Sequence, residues 1–442
     1  MTGIIAIFAD KISTMDYQEQ IERLYKRFPS YQVVGNRAYK PGIETIKALD
    51  DALGHPHKHY RTIHIAGTNG KGSVCHMLAA ALASCGLKVG LYSSPHLVDF
   101  RERMKVVTRD GFTMISKEAV SAFLNRWNTL FDVHNPSFFE ITTAMAFEYF
   151  ANENVDIAVI ETGLGGRLDS TNIITPVLSV ITNIGLEHCT YLGHTLEEIA
   201  FEKGGIIKPG VPVVIGNEDS HTAPVFARLA QERNSPLIHA SEYDMAGAAV
   251  SAADLDLKGD YQTENLRTVL CALTQLELSS PSPAFNMPKA VAGLQNAAAI
   301  TGLRGRWERI DLGEGSPELI CDIGHNPHGL KWVFSQLRKS EAGRVFIVFG
   351  MVADKDLEAV AEYMPAPDKR FHYIFTQAST DRALKASALR ERLRPFGISG
   401  TITASVKKAL ESALARADSN DLIFVGGSNF TVADALTALE TR

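Results

Sequence analysis

Residues Ile63 to Ser73 read IHIAGTNGKGS, an apolar run that breaks into a glycine-rich loop carrying one lysine and one hydroxyl. Glycines at 67, 70 and 72 let the backbone come close to an anion, and successive N–H groups there can form an anion-binding nest. The segment that follows, SVCHMLAAALASCG, points a helix N-terminus at the same charge. Lys71 is placed to neutralise phosphate, and Ser73 to ligand Mg²⁺ as a P-loop hydroxyl does. The loop departs from GxxxxGK[ST], because Gly72 stands between the lysine and the hydroxyl. A plain glycine-rich turn is the bland alternative. Context argues against it, since a strand precedes, a helix follows, and KVGLYSS supplies the next strand of a βαβ unit.

Outward from this loop, short β-branched runs alternate with helical stretches, the pattern of a parallel sheet flanked by helices in an α/β fold. Strands are expected at 62–66, 88–93, 155–161, 177–183 and 211–215, with helices at 73–84 and about 138–151. The second helix, FFEITTAMAFEYF, is apolar nearly all round and is expected to be buried. A second, smaller Rossmann-like α/β series begins late, with strands near 318–323, 344–349, 371–375 and 421–425. GLKWVFSQLRKS and VKKALESALARA are its helix candidates. Between the series lies GLRGRWERIDLGEGSPE, whose glycines and charges mark it as a linker. The expected domains are therefore 1–305 and 306–442.

The composition excludes several classes. A chain of 442 residues has room for two or three domain cores. With 45% hydrophobic and 21% charged residues and a formal net charge of -6, it reads as a soluble protein with no basic surplus for nucleic acid. Cys75, Cys85, Cys189, Cys271 and Cys321 show no CxxC spacing, so neither a disulfide framework nor a zinc site is indicated, and a reducing cytoplasm fits. The N-terminal GIIAIFA is too short to span a bilayer and lacks a basic flank, and Met15 is an alternative start. No membrane partner is expected.

Ligands in open α/β sheets bind outside the carboxyl ends of the strands. Three polar residues stand there: Ser94 after KVGLYSS, Glu161 opening ETGLGGRLDSTN, and His188 after VLSVITNIG. An acid at a strand end beside a P-loop is the arrangement that holds Mg²⁺ on nucleotide phosphates, so Glu161 is the leading metal-ligand candidate. Each has a plainer reading: Ser94 as a turn residue before proline, Glu161 as a solvated strand terminus, His188 as a structural imidazole.

Further on, SFFE at 137–140 ahead of an apolar helix matches a capping box, with substrate contact as the alternative. Lys203, in FEKGGIIKPG, reads as a helix-terminal lysine favourable to the dipole. ELICDIGHNPHG places Asp322, His325 and Asn326 in the turn after a strand, where a simple Asn-Pro turn competes with a role in ligand binding. Arg306, in the linker, is a bidentate phosphate contact in waiting.

In order and approximate spacing, GTNGKGS at 67–73, SSPHL at 93–97, ETGLGGRLDSTN at 161–172, EKGGIIKPG at 202–210, RGRWE at 304–308 and DIGHNP at 322–327 resemble the folylpolyglutamate synthase and dihydrofolate synthase family of the Mur ligase superfamily. The resemblance covers almost the whole chain. It implies a Mur-ligase-like ATP-binding and pterin-binding domain, a C-terminal glutamate-ligase domain, and an ATP-dependent ligase working through an acyl phosphate. The substrates it implies are L-glutamate with dihydropteroate or a reduced folate. On this resemblance Gly67, Thr68, Asn69, Gly70, Lys71, Gly72 and Ser73 hold ATP with Asn265, Arg306 and Asp322. Ser94, Glu161 and His188 hold Mg²⁺, while Ser137, Phe138, Phe139 and Glu140 line the pterin site with Leu168, Asp169 and Ser170. Lys71, Lys203, His188 and His325 are the catalytic candidates, and Lys203 resembles the family's carbamylated lysine, which overrides its dipole reading. Gly204 and Gly324 stand where the family's patterns have alanine, and DLGEGSP makes the linker longer.

Two alternatives stand beside this. A Mur-type ligase acting on a UDP-muramyl precursor would need an N-terminal UDP-binding domain, for which the 66 residues before Gly67 are too few, and its loop lacks the inserted glycine. A non-catalytic ATP-binding regulatory module would be expected to lack Glu161, His188 or Lys203, and all three are present. A monomer is the expected state.

Overall fold

The computed structural model describes residues 16–30, 32, 35, 40–279 and 284–441. The N-terminal GIIAIFA and Met15 lie outside them. The chain divides into two compact units, the first comprising residues up to 96, 100–250 and 264–302, and the second 97–99, 251–263 and 303–442.

The first unit is built on an eight-stranded sheet. Its strands are β1 (Arg61–Ala66), β2 (Val89–Tyr92), β3 (Met104–Thr108), β4 (Gly111–Met114), β5 (Ile157–Glu161), β6 (Leu178–Ile181), β7 (Val213–Ile215) and β8 (Leu237–His239). The order is β4-β3-β2-β5-β1-β6-β7-β8, in which β3 alone runs against the others, antiparallel to both β2 and β4. β2, β5 and β6 are buried at every position, which explains why they read as continuous apolar runs rather than alternating ones. β3, β4 and β8 were not expected; β4 and β8 are short edge strands without a buried run, so their sequence carries little strand signal.

Helix Lys71–Ser84 follows β1 and is buried along nearly its whole length, its alanines giving neighbours close access. A Cβ on Gly293 of helix Met287–Gln295 would lie 2.5 Å from the Ala80 carbonyl, so the two helices pack backbone to backbone there. Helix Phe138–Asn152 lies in the core with Tyr92, Ile160 and Phe100, as its all-round apolarity predicts. Each large side chain so buried contributes roughly 1.5–3 kcal/mol. β1 lies between β5 and β6, with Ile65 paired to Glu161 and Ala66 to Ile181. The P-loop thus leaves the sheet where strands on both sides end. This is the position at which open α/β sheets bind ligands.

The second unit carries β9 (Glu308–Ile310), β10 (Glu318–Asp322), β11 (Val345–Phe349), β12 (Phe371–Phe375), β13 (Gly400–Ile402) and β14 (Leu422–Gly426), in the order β13-β12-β11-β14-β10-β9. Only β9 runs antiparallel. The linker reading needs correction here: Glu308–Ile310 is a strand paired with β10, and DLGEGSP is the loop of that hairpin rather than extra length between domains. Charge and glycine content mimic a linker because β9 is an edge strand with its side chains half exposed. No helix among the described residues is long and apolar enough to cross a membrane.

Candidate active site

The phosphate loop is shaped by the segment after β6. Thr68 N–H donates to the Asn183 carbonyl at 2.9 Å, Asn69 N–H to Asn183 Oδ1 at 2.8 Å, and Thr182 Oγ1 to the Asn69 carbonyl at 2.5 Å. Gly185 N–H and the Thr68 hydroxyl close the clamp at 3.0 Å. Gly67 has φ +150, and a side chain there would collide with the Thr182 hydroxyl; Gly70 caps the following helix at φ +84, where a side chain would strike Asn265. The helix begins at Lys71, so Gly72 lies inside its first turn, between the lysine and the buried Ser73. Thr182 and Asn183 are not marked by any local motif, because TNIG carries no signal of its own until it is set beside the loop.

Lys71 folds back over the loop, its Nζ 2.8 Å from the Gly67 carbonyl and 3.2 Å from that of Thr68. Lys203 reaches the same place from helix Leu196–Gly204. Its side chain is 4% exposed and its Nζ donates to the Gly67 carbonyl at 2.8 Å. The dipole reading of Lys203 is thereby corrected: the amine leaves the helix end and enters the phosphate loop. Burial, reinforced by the nearby Lys71 charge and opposed by Glu187 and Asp169, pushes its pKa down to about 7.

Glu161, 4% exposed at the end of β5, accepts a hydrogen bond from the Ser94 N–H at 3.1 Å. The two metal candidates that the sequence separates by 67 residues are therefore in contact. The Ser94–Pro95 peptide is cis. His188 occupies the left-handed N-cap of the short helix Cys189–Leu192, on the loop after β6.

The loop opened by Glu161 is organised by Asp169. One carboxylate oxygen accepts from the N–H groups of Gly163 and Leu164 at 2.9 and 2.8 Å, the other from the N–H and hydroxyl of Thr171 at 3.0 and 2.5 Å. Burial pushes the Asp169 carboxyl up, and these four donors pull it down. A carboxylate has about four lone-pair positions, so this one is filled from within its own loop. Leu168 and Ser170 flank it, the former half-buried and the latter 7% exposed.

Ser137 and Glu140 form the full capping box of helix Phe138–Asn152, each side chain bonded to the other's backbone N–H. Phe138 is buried and stacks on Tyr25. Phe139 instead stays half-buried against the glycine loop, where a Cβ on Gly163 would lie 2.5 Å from its ring.

In the second unit, Asp322 ends β10 and is 2% exposed. Its carboxylate accepts from Tyr261 Oη at 2.7 Å, Trp307 N–H at 2.8 Å and Gly324 N–H at 2.8 Å. Burial raises its pKa, while Tyr261 and the Arg306 charge oppose the rise. It therefore holds the turn on which Arg306 sits, immediately before Trp307 at φ +49. Asn326 caps helix Pro327–Lys339 by accepting from Gly329 N–H, so its Asn-Pro turn is a helix start, and His325 Nδ1 lies 3.0 Å from the Ile323 carbonyl. Tyr261 was not anticipated, since nothing local marks a tyrosine 61 residues before its carboxylate.

Residues 65–284 match the Mur ligase middle domain and residues 305–429 the Mur ligase glutamate ligase domain. The chain is 32% identical over 416 residues to the dihydrofolate synthase/folylpolyglutamate synthase of Bacillus subtilis, covering 89% of this chain and 94% of that one. It is 34% identical over 425 residues to a probable bifunctional folylpolyglutamate synthase/dihydropteroate synthase of Halobacterium salinarum, covering 90% of this chain but spanning only 49% of that protein. The structure of Escherichia coli FolC in complex with DHPP and ADP superposes with a TM-score of 0.81 at 27% identity, covering 97% of this chain and 99% of that one. A bifunctional folylpolyglutamate synthase/dihydrofolate synthase with Mn, AMPPNP and L-glutamate bound gives 0.76 at 29% identity, covering 91% and 95%. A shaped phosphate loop, a buried acid one strand away and matches along both units lead to one conclusion: the chain belongs to the folylpolyglutamate synthase/dihydrofolate synthase family of Mur ligases, ATP-dependent ligases of an acid to an amino acid.

Proposed function

We propose that this chain joins L-glutamate both to dihydropteroate and to reduced folates, releasing ADP and phosphate. The observation that carries the reading is the convergence of Lys71 and Lys203 on the Gly67 carbonyl, one strand away from Glu161. A simple phosphate cradle needs one lysine; a second, buried and easily neutralised amine suits a centre that must manage charge through two steps.

In the first step a carboxylate oxygen of the pteroate or folate attacks the γ-phosphorus, and the bond to the β,γ-bridging oxygen breaks to leave ADP. In the second, the glutamate amino nitrogen attacks the carbonyl carbon of the acyl phosphate, and the tetrahedral intermediate collapses by expelling phosphate, which carries off the amine proton as hydrogen phosphate. The loop amides from Gly67 to Ser73 and the Lys71 ammonium hold the triphosphate in line. The Glu161 carboxylate and Ser94 hydroxyl are hard oxygen donors at a buried strand end, and the adjacent Thr162 hydroxyl is buried without a hydrogen-bond partner, so this donor set fits a divalent cation of the Mg²⁺ class. His188 completes the set. When bound there, Mg²⁺ neutralises charge on the β- and γ-phosphate oxygens.

Lys203 acts as a carbamate: its neutral amine nitrogen adds to CO2 and loses a proton, becoming a carboxylate that orients the cation and phosphate. Asn265 contacts the nucleotide; in the second unit Arg306, on the turn that Asp322 holds, is a phosphate-binding arginine. Phe138, Phe139, Leu168 and Ser170 wall the pterin pocket, while Ser137, Glu140 and Asp169 shape it from behind. His325 serves the glutamate or the transferred phosphate. The enzyme works as a cytoplasmic monomer, the first unit carrying the phosphate loop and pterin site and the second the glutamate site. Purified protein incubated with MgATP and labelled glutamate incorporates label with dihydropteroate and with a reduced folate; no incorporation with either removes the reading.

A further inference from the structure

His64 lies on β1, three residues before Gly67, and its side chain is completely buried. Its Nε2 is 2.8 Å from the Thr171 hydroxyl. Thr171 Oγ1 has one proton, and at 2.5 Å from an Asp169 oxygen that proton goes to the carboxylate, which only accepts. The contact with His64 is then possible in one sense alone: Nε2 carries hydrogen and donates to Thr171. Nδ1 is left bare, and it is a buried nitrogen without a hydrogen-bond partner. Protonating it would bury an unpaired cation, and burial with the Lys208 charge pushes this imidazole down to about 3. His64 is thus a neutral, fixed-tautomer donor at every working pH.

The hydrogen bonds run without a break from β1 through His64, Thr171 and Asp169 to the N–H groups of Gly163 and Leu164. One end is the strand that feeds the phosphate loop. The other is the turn against which Phe139 lies. We infer that His64 is a positioning residue for the pterin pocket, holding the Gly163–Ser170 loop in register with the nucleotide loop through Thr171 and Asp169. The inference rests on the function proposed above.

Three variants test it. His64→Leu keeps the volume and removes the donor; His64→Gln restores an N–H at the Nε2 position; Thr171→Val removes the hydroxyl alone. Loss of the His64–Thr171 hydrogen bond is expected to raise KM for dihydropteroate roughly five- to tenfold in His64→Leu, and Thr171→Val, which also loses the bond to Asp169, raises it at least as far, with KM for MgATP unchanged in both. His64→Gln returns KM towards wild type, and the Leu/Val double variant is no worse than Thr171→Val alone, because both break the same relay. Equal rises in both KM values, no rescue by glutamine, or additive single effects would each overturn the inference. Should His64→Leu fail to fold, His64→Asn, whose shorter amide does not reach the Nε2 position, takes its place against His64→Gln. A wild type that ligates no glutamate sinks the functional reading and this one with it; an active wild type with an indifferent His64→Leu and Thr171→Val sinks this one alone.

Discussion

Lys71 and Lys203, 132 positions apart, donate to the same carbonyl oxygen, that of Gly67, each at 2.8 Å. Two ammonium groups sharing one acceptor in a buried corner repel each other. In Lys203 burial, with this repulsion added to it, pushes the pKa down to about 7.

The neutral amine is the form that captures CO2. Activity in bicarbonate buffer is therefore expected to climb through about pH 7, and in CO2-depleted buffer to fall and return when bicarbonate is added. Stability follows the same group: the folded value lies below the ordinary 10.5 of lysine, so between about 7 and 10.5 the unfolded chain binds more protons and stability rises with pH. Steady-state rates and urea midpoints across this range read the two effects separately; rates indifferent to bicarbonate would exclude the carbamate.

Lys203→Ala removes the amine and opens a small cavity beside the loop. Activity should disappear and return in part with formate or acetate, whose carboxylates can occupy the space. A fully active Lys203→Ala shows the lysine to be structural.

Glu161→Gln preserves shape and removes the charge opposite Ser94. Turnover is expected to fall on the order of 100- to 1000-fold, with the divalent-cation concentration for half activity shifted upward. Unchanged cation dependence would place the metal elsewhere.

Ser137→Ala breaks the capping box of helix Phe138–Asn152. Denaturant unfolding should show a loss of about 1 kcal/mol, with KM for dihydropteroate unchanged. A KM effect without the stability loss would make Ser137 a substrate contact instead.

Tyr261→Phe removes one of three donors to the buried Asp322 carboxylate. Hydrogen bonds to charged groups contribute about 1.5–3 kcal/mol, so the variant should be less stable by that order, and KM for ATP should rise as the Arg306 turn loosens. Calorimetry and ATP titration of one preparation test both halves.

Much of the architecture is legible in local pattern. Buried parallel strands such as IAVIE read as continuous apolar runs, the all-apolar FFEITTAMAFEYF announces a core helix, and SFFE spells its cap. The half-exposed strands β4, β8, β9 and β13 are illegible because edges relax the very periodicity that marks a strand, and β9 reads as linker on that account. In the site, Ser94 and Glu161 follow from their places after strands. The Thr182–Asn183 clamp, Tyr261 and His64 do not, since each acts on a partner far away in the chain.

The sequence by itself determined the α/β class, the nucleotide loop and, through six motifs in order, the ligase family, because these depend on spacing within short segments. Tertiary structure alone decided what the charged groups are. Lys203 became a buried amine on the phosphate loop rather than a helix-end cation, and Asp169 a carboxylate filled by its own loop rather than an open acceptor. Protonation and hydrogen-bonding capacity depend on burial and on partners up to 136 residues away, and neither is written in local pattern.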